Sequence, residues 1–184
     1  MKKAQWWFVV FAVSAVSFSV AACAKENEKK PNPAPAQKKT QPLFIIERSK
    51  NANVVHYDAQ LTADGKLEAN EPVIAYWVLL AEDGRREELN WIEKKKAYGF
   101  HITPDPSAKG FQMTLVSVPE GTIIVRKEGD TARAERDIDG HPAILEKIYI
   151  NAADGLFGPK VNYIELYGKD IKTGEKRYQK IVKK

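Results

Sequence analysis

A chain of 184 residues carries 29 basic and 24 acidic side chains, a formal net charge of +5. The excess is N-terminal, because residues 43–184 contain 22 basic and 22 acidic side chains. A nucleic-acid binder needs a clustered basic face, so we expect no nucleic-acid partner. The single cysteine, Cys23, excludes an internal disulfide and a site built from several cysteine ligands.

The N-terminus has the three parts of an export signal: a lysine-containing start, an apolar segment over 4–22, and small residues at its end. Two readings without lipid remain open. Ala22-Cys23-Ala24 also satisfies a plain A-x-A cleavage rule, which would release a soluble periplasmic protein. The apolar segment also approaches the length of a bilayer span, so a retained transmembrane anchor is the other reading without lipid.

Residues 20–23 read Val-Ala-Ala-Cys, which resembles the lipobox of bacterial lipoproteins. The resemblance implies that residues 1–22 are a lipoprotein signal peptide and that Cys23 is acylated, with palmitate among its chains. Two or more acyl chains hold a protein stably on a membrane. Ala24, rather than aspartate, follows the cysteine, which by the same resemblance implies an outer-membrane location with the domain facing the periplasm.

Residues 23–42 hold four prolines and five lysines and no aromatic residue. Such a composition cannot form a core and favours an extended chain. We interpret this stretch as a lipidated tether, and residues 43–184 as a single β-rich domain, which is long enough for one core.

The periodicity of residues 43–184 is mostly that of strands separated by tight turns such as Asp64-Gly65 and Asp139-Gly140. Alternation is clear in Val54 to Leu61, where Val55 and Tyr57 share a face opposite His56 and Asp58. We predict ten strands, over 43–48, 54–61, 73–80, 98–103, 111–118, 122–127, 132–138, 144–150, 161–169 and 177–182. The pattern predicts an all-β fold, mainly antiparallel, either a β-sandwich or a small β-barrel.

One short helix is predicted between Arg86 and Ala97. Glu87 and Glu88 would lie in its first turn and three lysines in its last, with Gly99 after it, which suits the helix dipole and a glycine stop. We interpret the lysine run as a solvated helix end.

Three segments suggest a family. Val-Val-His-Tyr-Asp (54–58), Pro-Val-Ile-Ala-Tyr-Trp (72–77) and Glu-Lys-Lys-Lys-Ala-Tyr-Gly-Phe (93–100) resemble an uncharacterised bacterial domain family, a domain of unknown function, over roughly residues 43–182. The resemblance implies a compact domain that is often exported or lipid-anchored. It brings no activity, cofactor or catalytic residue.

Histidines offer the main catalytic hypothesis. His56 and Asp58 are two apart on a strand, so their side chains share a face about 7 Å apart. If the sheet brought His101 beside them, two nitrogens and one oxygen could hold a zinc-like metal. The chain has no HExxH motif and no G-x-S-x-G motif. A metal- or carboxylate-dependent hydrolase of the cell envelope using these three residues is therefore our alternative prediction.

Aromatic residues are more informative, because they fall largely in predicted strands. We predict a ligand pocket walled by Tyr76, Trp77, Trp91, Tyr98 and Phe100. The sequence thus favours a non-enzymatic, lipid-anchored envelope protein that uses no cofactor. Its partner would be a small amphipathic ligand or an envelope protein.

Overall fold

The computed structural model describes residues 39–107, 109–153 and 160–183. The predicted signal peptide, Cys23 and residues 24–38 of the tether lie outside the described residues. The strands are β1 (Lys39–Arg48), β2 (Asn51–Leu61), β3 (Val73–Val78), β4 (Arg86–Glu88), β5 (Phe100–Asp105), β6 (Gly110–Leu115), β7 (Val118–Glu128), β8 (Thr131–Ile138), β9 (His141–Ala153), β10 (Lys160–Asp170) and β11 (Lys176–Val182). One helical segment, α1 (Trp91–Glu93) followed by a π-helical turn (Lys94–Tyr98), joins β4 to β5. The predicted all-β class with one short helix is confirmed.

The sheet forks at β9, the longest strand. β9 pairs with β10 along one edge. Its other edge is shared, because β8 pairs with its first residues, to Ile144, and β1 pairs with Lys147 to Ile150. A strand of 13 residues is long enough to give two partners four residues each. The β1–β9 pair is parallel and the other pairs between named strands are antiparallel, so the sheet is mixed.

Two arms leave this fork, one with strand order β1-β2-β3-β4 and one with strand order β8-β7-β6-β5. Both curl over a common apolar core, and the result is a half-barrel rather than a closed barrel or a two-sheet sandwich. The helical segment connects the outermost strands of the two arms. Fully buried side chains of both arms meet in the core, among them Tyr57 of β2 and Met113 of β6.

The alternation of β2 sets which of its side chains enter this core. Val55, Tyr57 and Ala59 are fully buried, as the period of two predicts. Asp58, on the opposite face, is also buried. The strand therefore has a covered polar face as well as an apolar one.

The predicted helix is real but begins later than expected. The prediction placed its start at Arg86, whereas Arg86–Glu88 form strand β4, paired with Tyr76–Val78 of β3. The helical segment begins after Asn90, whose side chain accepts from the Glu93 N–H while the Glu93 carboxylate accepts from the Asn90 N–H. This capping box satisfies two of the backbone donors at the start of the segment that no intrahelical carbonyl can reach.

Each of the ten predicted strands corresponds to an observed strand, with boundaries shifted by a few residues. β1 begins at Lys39, four residues before its predicted start, so residues 39–42 of the predicted tether pair with β2. Pro42 lies where β1 has β2 on one edge only, beside a register shift. A proline is tolerated there because its missing N–H costs no second ladder bond.

Residues Gln37–Lys184 group into one compact unit. Its core cluster runs from Leu43 to Leu166, entirely inside that unit. This segment therefore contains the whole core cluster formed by the described residues, and it is the fragment expected to fold on its own.

Candidate functional site

The half-barrel leaves an open seam between the ends of its two arms. β4 pairs only with Tyr76–Val78, so the first half of β3 has no strand neighbour on that side among the described residues. β5, at the end of the other arm, has β6 as its single strand partner in the described part of the chain. Two free strand edges therefore face the same gap, where unpaired backbone groups are available to a ligand.

The hydrogen-bond register turns backbone groups toward this gap. The Gln60 N–H donates to the Pro72 carbonyl, which fixes the alternation along β3. Because antiparallel residues bond in alternate pairs, Val73 and Ala75 turn their N–H and C=O groups away from β2. At the other edge, the Val116 N–H donates to the Gly99 carbonyl. By the same alternation, Phe100 turns its N–H and C=O groups away from β6.

A cavity of about 550 Å³ lies in the seam. We call it the seam pocket, and its volume is typical of sites for small ligands. It is lined by Glu71, Val73, Ile74, Ala75, Glu88, Leu89, Lys94, Lys95, Tyr98, Gly99, Phe100, His101 and Val116. Val73, Leu89 and Tyr98 are also core residues, so the pocket reaches the apolar interior.

Behind the pocket stands an inner aromatic cluster, formed by Phe44, Tyr57, Trp77, Tyr98 and Phe100. The Phe44 and Tyr57 rings stack at 4.5 Å between centroids, and the Tyr57 and Phe100 rings are tilted at 6.1 Å. Trp77 meets Tyr98 edge-on at 4.9 Å. The Tyr57 hydroxyl donates to the Tyr98 carbonyl at 2.6 Å, so this cluster joins the β1–β4 arm to the end of the helical segment that leads into β5.

Burial raises the pKa of the Tyr57 phenol well above its ordinary value, and burial also raises the pKa of Tyr98. Both hydroxyls therefore stay protonated at neutral pH. The wall of the pocket that these rings form is uncharged.

The charges of the seam pocket lie at its helical side. Lys94 and Lys95 line it, and neither forms an ion pair within the described ranges. Glu88 lies on the same lining but pairs with Arg86 at 2.8 Å, and Glu71 also has an interaction partner. The pocket therefore combines an apolar wall with two cationic side chains that form no ion pair within the described residues.

The predicted pocket residues do not all come together. Tyr98 and Phe100 line the seam pocket, and Trp77 packs on Tyr98 behind it. Tyr76 points to the opposite face of β3, and Trp91 is 71% exposed on the helical segment.

On that opposite face, Tyr76 is the centre of a small polar cluster. Its hydroxyl donates to Asp58 Oδ2 at 2.7 Å, the His56 ring stacks on it at 5.7 Å, and the Arg86 guanidinium lies 3.9 Å from its centroid. Burial and the bond to Asp58 raise the pKa of Tyr76 to about 12. Asp58 Oδ1 is buried without a hydrogen-bond partner, so this carboxylate is incompletely satisfied.

The residues of the predicted metal site are distributed differently from the hypothesis. His56 and Asp58 share a face of β2 around Tyr76, whereas His101 lies on β5 at the seam pocket. Within the described residues, no three histidine, cysteine or acidic side chains are grouped closely enough to hold a metal ion.

A second tyrosine group lies on the solvent face of β9, β10 and β11, around Glu165. We call Tyr149, Tyr163, Tyr167 and Tyr178 the outer tyrosine cluster. The hydroxyls of Tyr167 and Tyr178 donate to the two oxygens of Glu165 at 2.8 and 2.9 Å. Ile164 and Leu166, which alternate with them, are fully buried, so this tyrosine face is not the core face of β10.

A larger depression, of about 650 Å³, lies between the Asp64-Gly65 turn and the β5–β6 turn. Its lining comes mostly from turn residues and includes charged side chains such as Lys66 and Lys109. Asp105, on its floor, is already bonded to the backbone and hydroxyl of Ser107. None of the residues that line this depression belongs to the buried core, whereas Val73, Leu89 and Tyr98 of the seam pocket do, so the seam pocket is the better candidate site.

Sequence reasoning missed most of the lining of the seam pocket, including Val73, Ala75, Lys94 and Lys95. The continuous apolar run of β3 conceals which of its residues face inward, and the lysines fit a solvated helix end equally well. The Lys-Lys-Lys run beside Tyr98 and Phe100 was the one available signal, since charge next to predicted pocket aromatics is typical of a binding site.

The geometry defines an all-β half-barrel with a ligand-sized pocket at its open seam. The chain belongs to the family described as Domain of unknown function (DUF4833), whose model matches residues 44–180. This match confirms the resemblance to an uncharacterised domain family. No curated protein and no solved structure matches the chain. In the described part of the chain, no helix combines the length and the apolar character needed to cross a membrane.

Proposed function

We propose that this protein is a lipid-anchored bacterial envelope protein whose seam pocket binds a small amphipathic ligand with an anionic end. The pocket carries the proposal, because a wall of core apolar side chains ends at Lys94 and Lys95, two cations without an ion pair within the described residues. An apolar chain would lie against Tyr98 and Phe100 with its anionic end at the lysines. The role is binding rather than catalysis.

The orientation of such a ligand would be fixed by polar groups at the two strand edges. Val73 and Ala75 turn backbone donors and acceptors toward the gap. A few convergent polar groups on a mainly apolar wall are typical of specific small-molecule sites. Aromatic side chains supply large contact areas there with little conformational entropy to lose.

The anchor rests on the sequence 20–23, Val-Ala-Ala-Cys, at the end of an apolar export signal. Acylation of Cys23 would hold the domain at the outer membrane, facing the periplasm, where amphipathic envelope molecules are plentiful. Expression of the full chain in a Gram-negative host tests this arm. A denatured mass that includes acyl chains in the wild type, but not in Cys23→Ser, is expected, and an unacylated wild-type chain would contradict the anchor.

The ligand arm uses the segment Gln37–Lys184, exported to a bacterial periplasm and compared by native and denaturing mass spectrometry. We expect additional mass that disappears on denaturation. Lys94→Glu together with Lys95→Glu should lower the bound fraction about tenfold, because two attractive charges become repulsive.

The matched control is Lys172→Glu with Lys176→Glu, two exposed lysines in the β10–β11 hairpin, which should leave the bound fraction unchanged. A bare wild-type domain at its sequence mass would contradict ligand binding. Equal retention of the ligand by the Lys94→Glu/Lys95→Glu variant would place the ligand elsewhere and overturn the pocket.

A further inference from the structure

The helical segment 91–98 exposes two large apolar side chains next to each other. Trp91 is 71% exposed and Ile92 is 54% exposed. Single exposed apolar residues are ordinary, but an adjacent tryptophan and isoleucine form a protruding apolar point that water solvates poorly.

This point is held on a rigid support. The capping box between Asn90 and Glu93 fixes the start of the segment, with N···O distances of 3.0 and 2.9 Å. Leu89 before the segment and Tyr98 at its end are both buried in the core. Trp91 and Ile92 therefore project from a backbone anchored on both sides, and their exposure is a feature of the fold.

Three lysines follow Glu93 on the same segment, and they outnumber its single carboxylate. Within the described ranges Lys94, Lys95 and Lys96 form no ion pair, although other lysines of the domain do: Lys66, Lys127, Lys147, Lys169, Lys180 and Lys183. The nearest carboxylate along the chain, Glu93, accepts from the Asn90 N–H in the capping box. The segment thus presents exposed apolar side chains beside a net positive charge.

We propose that the helical segment is a membrane-contact element that inserts Trp91 and Ile92 between the headgroups of an anionic bilayer. Tryptophan prefers the membrane–water interface, and lysines beside it are attracted to anionic headgroups. Charge complementarity with an anionic lipid surface identifies the occupant. This contact does not require a ligand in the seam pocket, but Lys94 and Lys95 belong to both, so the pocket opens beside the proposed bilayer contact.

The domain supplies its own reporter, because the segment Gln37–Lys184 contains two tryptophans, Trp77 and Trp91. Trp77→Phe leaves Trp91 as the only tryptophan of this segment and keeps an aromatic ring against Tyr98. With vesicles of phosphatidylcholine and phosphatidylglycerol, we expect the Trp91 emission to shift to the blue and to be quenched by brominated acyl chains. Vesicles of phosphatidylcholine alone should give a much smaller change.

Co-sedimentation with the same vesicles, in a background that keeps Trp77, measures the affinity independently. Trp91→Ala with Ile92→Ala should weaken binding about tenfold, because the inserting side chains are lost. Lys96→Glu, at a lysine outside the seam pocket, should weaken binding to anionic vesicles about fivefold or more. Val182→Ala, an equally exposed apolar residue on β11, is the matched control and should bind like wild type.

Circular dichroism and unfolding midpoints must agree among the co-sedimentation variants, which is expected since Trp91, Ile92, Lys96 and Val182 are all exposed. Undiminished vesicle binding by the Trp91→Ala/Ile92→Ala variant would overturn the proposal. So would no binding of the wild type, or equal binding to neutral and anionic vesicles. Because Lys96 is outside the pocket, loss of ligand in the Lys94→Glu/Lys95→Glu variant can be told apart from loss of membrane contact.

Discussion

The inner aromatic cluster and the outer tyrosine cluster use the same kind of side chain on the two faces of one sheet. Inside, Tyr57 is completely buried and its hydroxyl donates to a backbone carbonyl, that of Tyr98. Outside, Tyr167 and Tyr178 share the carboxylate of Glu165 and remain partly in water. The position relative to the core decides which partner each phenol needs.

The inner cluster contributes to stability mainly through the packing of its rings. Its rings interlock across the two arms, and a buried hydroxyl there must be paired, because an unsatisfied polar group in the core is costly. The outer cluster acts through polar contacts. Lys180 lies 3.7 Å from the centroid of Tyr163 and Lys147 lies 4.7 Å from that of Tyr167, so cations also contact these rings.

This difference supports the seam pocket as the proposed ligand site. The inner cluster holds the two arms together and gives the seam pocket its wall. In the outer cluster, the hydroxyls of Tyr167 and Tyr178 already bond to Glu165, and two lysines already lie against its rings. An open pocket beside a rigid wall is available to a ligand. A surface whose polar groups already bond to one another has fewer groups available to a ligand.

The largest expected difference between the two clusters is the loss of stability when one ring is removed from each. Tyr57→Ala should lower the free energy of unfolding by about 3–5 kcal/mol, because a completely buried aromatic side chain leaves a cavity. Tyr163→Ala, on the outer face, should lower it by about 1 kcal/mol or less, since only cross-strand contacts are lost. Urea titration of both variants measures this. Similar losses for the two would show that the clusters do not differ in role.

Sequence reasoning correctly predicted what depends on neighbours along the chain. The alternation of β2 placed Tyr57 on the core face, and the Asp139-Gly140 signal predicted the hairpin between β8 and β9, where both residues have positive φ. The alternation of β10 separated Tyr163 from Ile164 but left open which face was core. Only packing against the arms decides that question.

The rest of the fold depends on distant partners. The fork at β9 joins Ile46 to Ile148, about a hundred residues apart, and no local pattern encodes such a pair. β4 was missed because Arg-Glu-Glu has no strand signature and pairs only as an edge strand. The seam pocket was invisible for the same reason: its walls come from β3, the helical segment and β5, which meet only when both arms curl.

A smaller difference in stability is expected when a single hydroxyl is removed from each cluster. Tyr57→Phe should lower the free energy of unfolding by about 1 kcal/mol, because the buried Tyr98 carbonyl loses its donor. Tyr178→Phe should have an effect near zero, since Glu165 keeps the Tyr167 hydroxyl and water can replace the other. Equilibrium unfolding resolves the two. A loss from Tyr178→Phe that equals the loss from Tyr57→Phe would contradict the idea that burial, rather than bonding alone, sets the value of each hydroxyl.

The smallest effect is confined to alkaline pH and separates the causes of the raised tyrosine pKa values. Burial raises the pKa of Tyr57, whereas the hydrogen bond to Glu165 is the main reason that the pKa of Tyr167 rises to about 12. Because the folded state then holds this proton more tightly than an unfolded chain with pKa 10.0, the stabilisation from Tyr167 is complete below pH 10 and is lost as the pH rises toward 12.

Glu165→Gln should therefore lower the pKa of Tyr167 toward 10 and flatten the fall in stability over this alkaline range. The pKa of Tyr57 should not change, since its cause is burial. Tyrosinate absorbance against pH, measured in wild type and variant, separates the two groups. An unchanged titration of the outer phenols in Glu165→Gln would contradict this prediction. The carboxylate would then not distinguish the outer cluster from the inner one, and burial would have to account for the raised pKa values in both clusters.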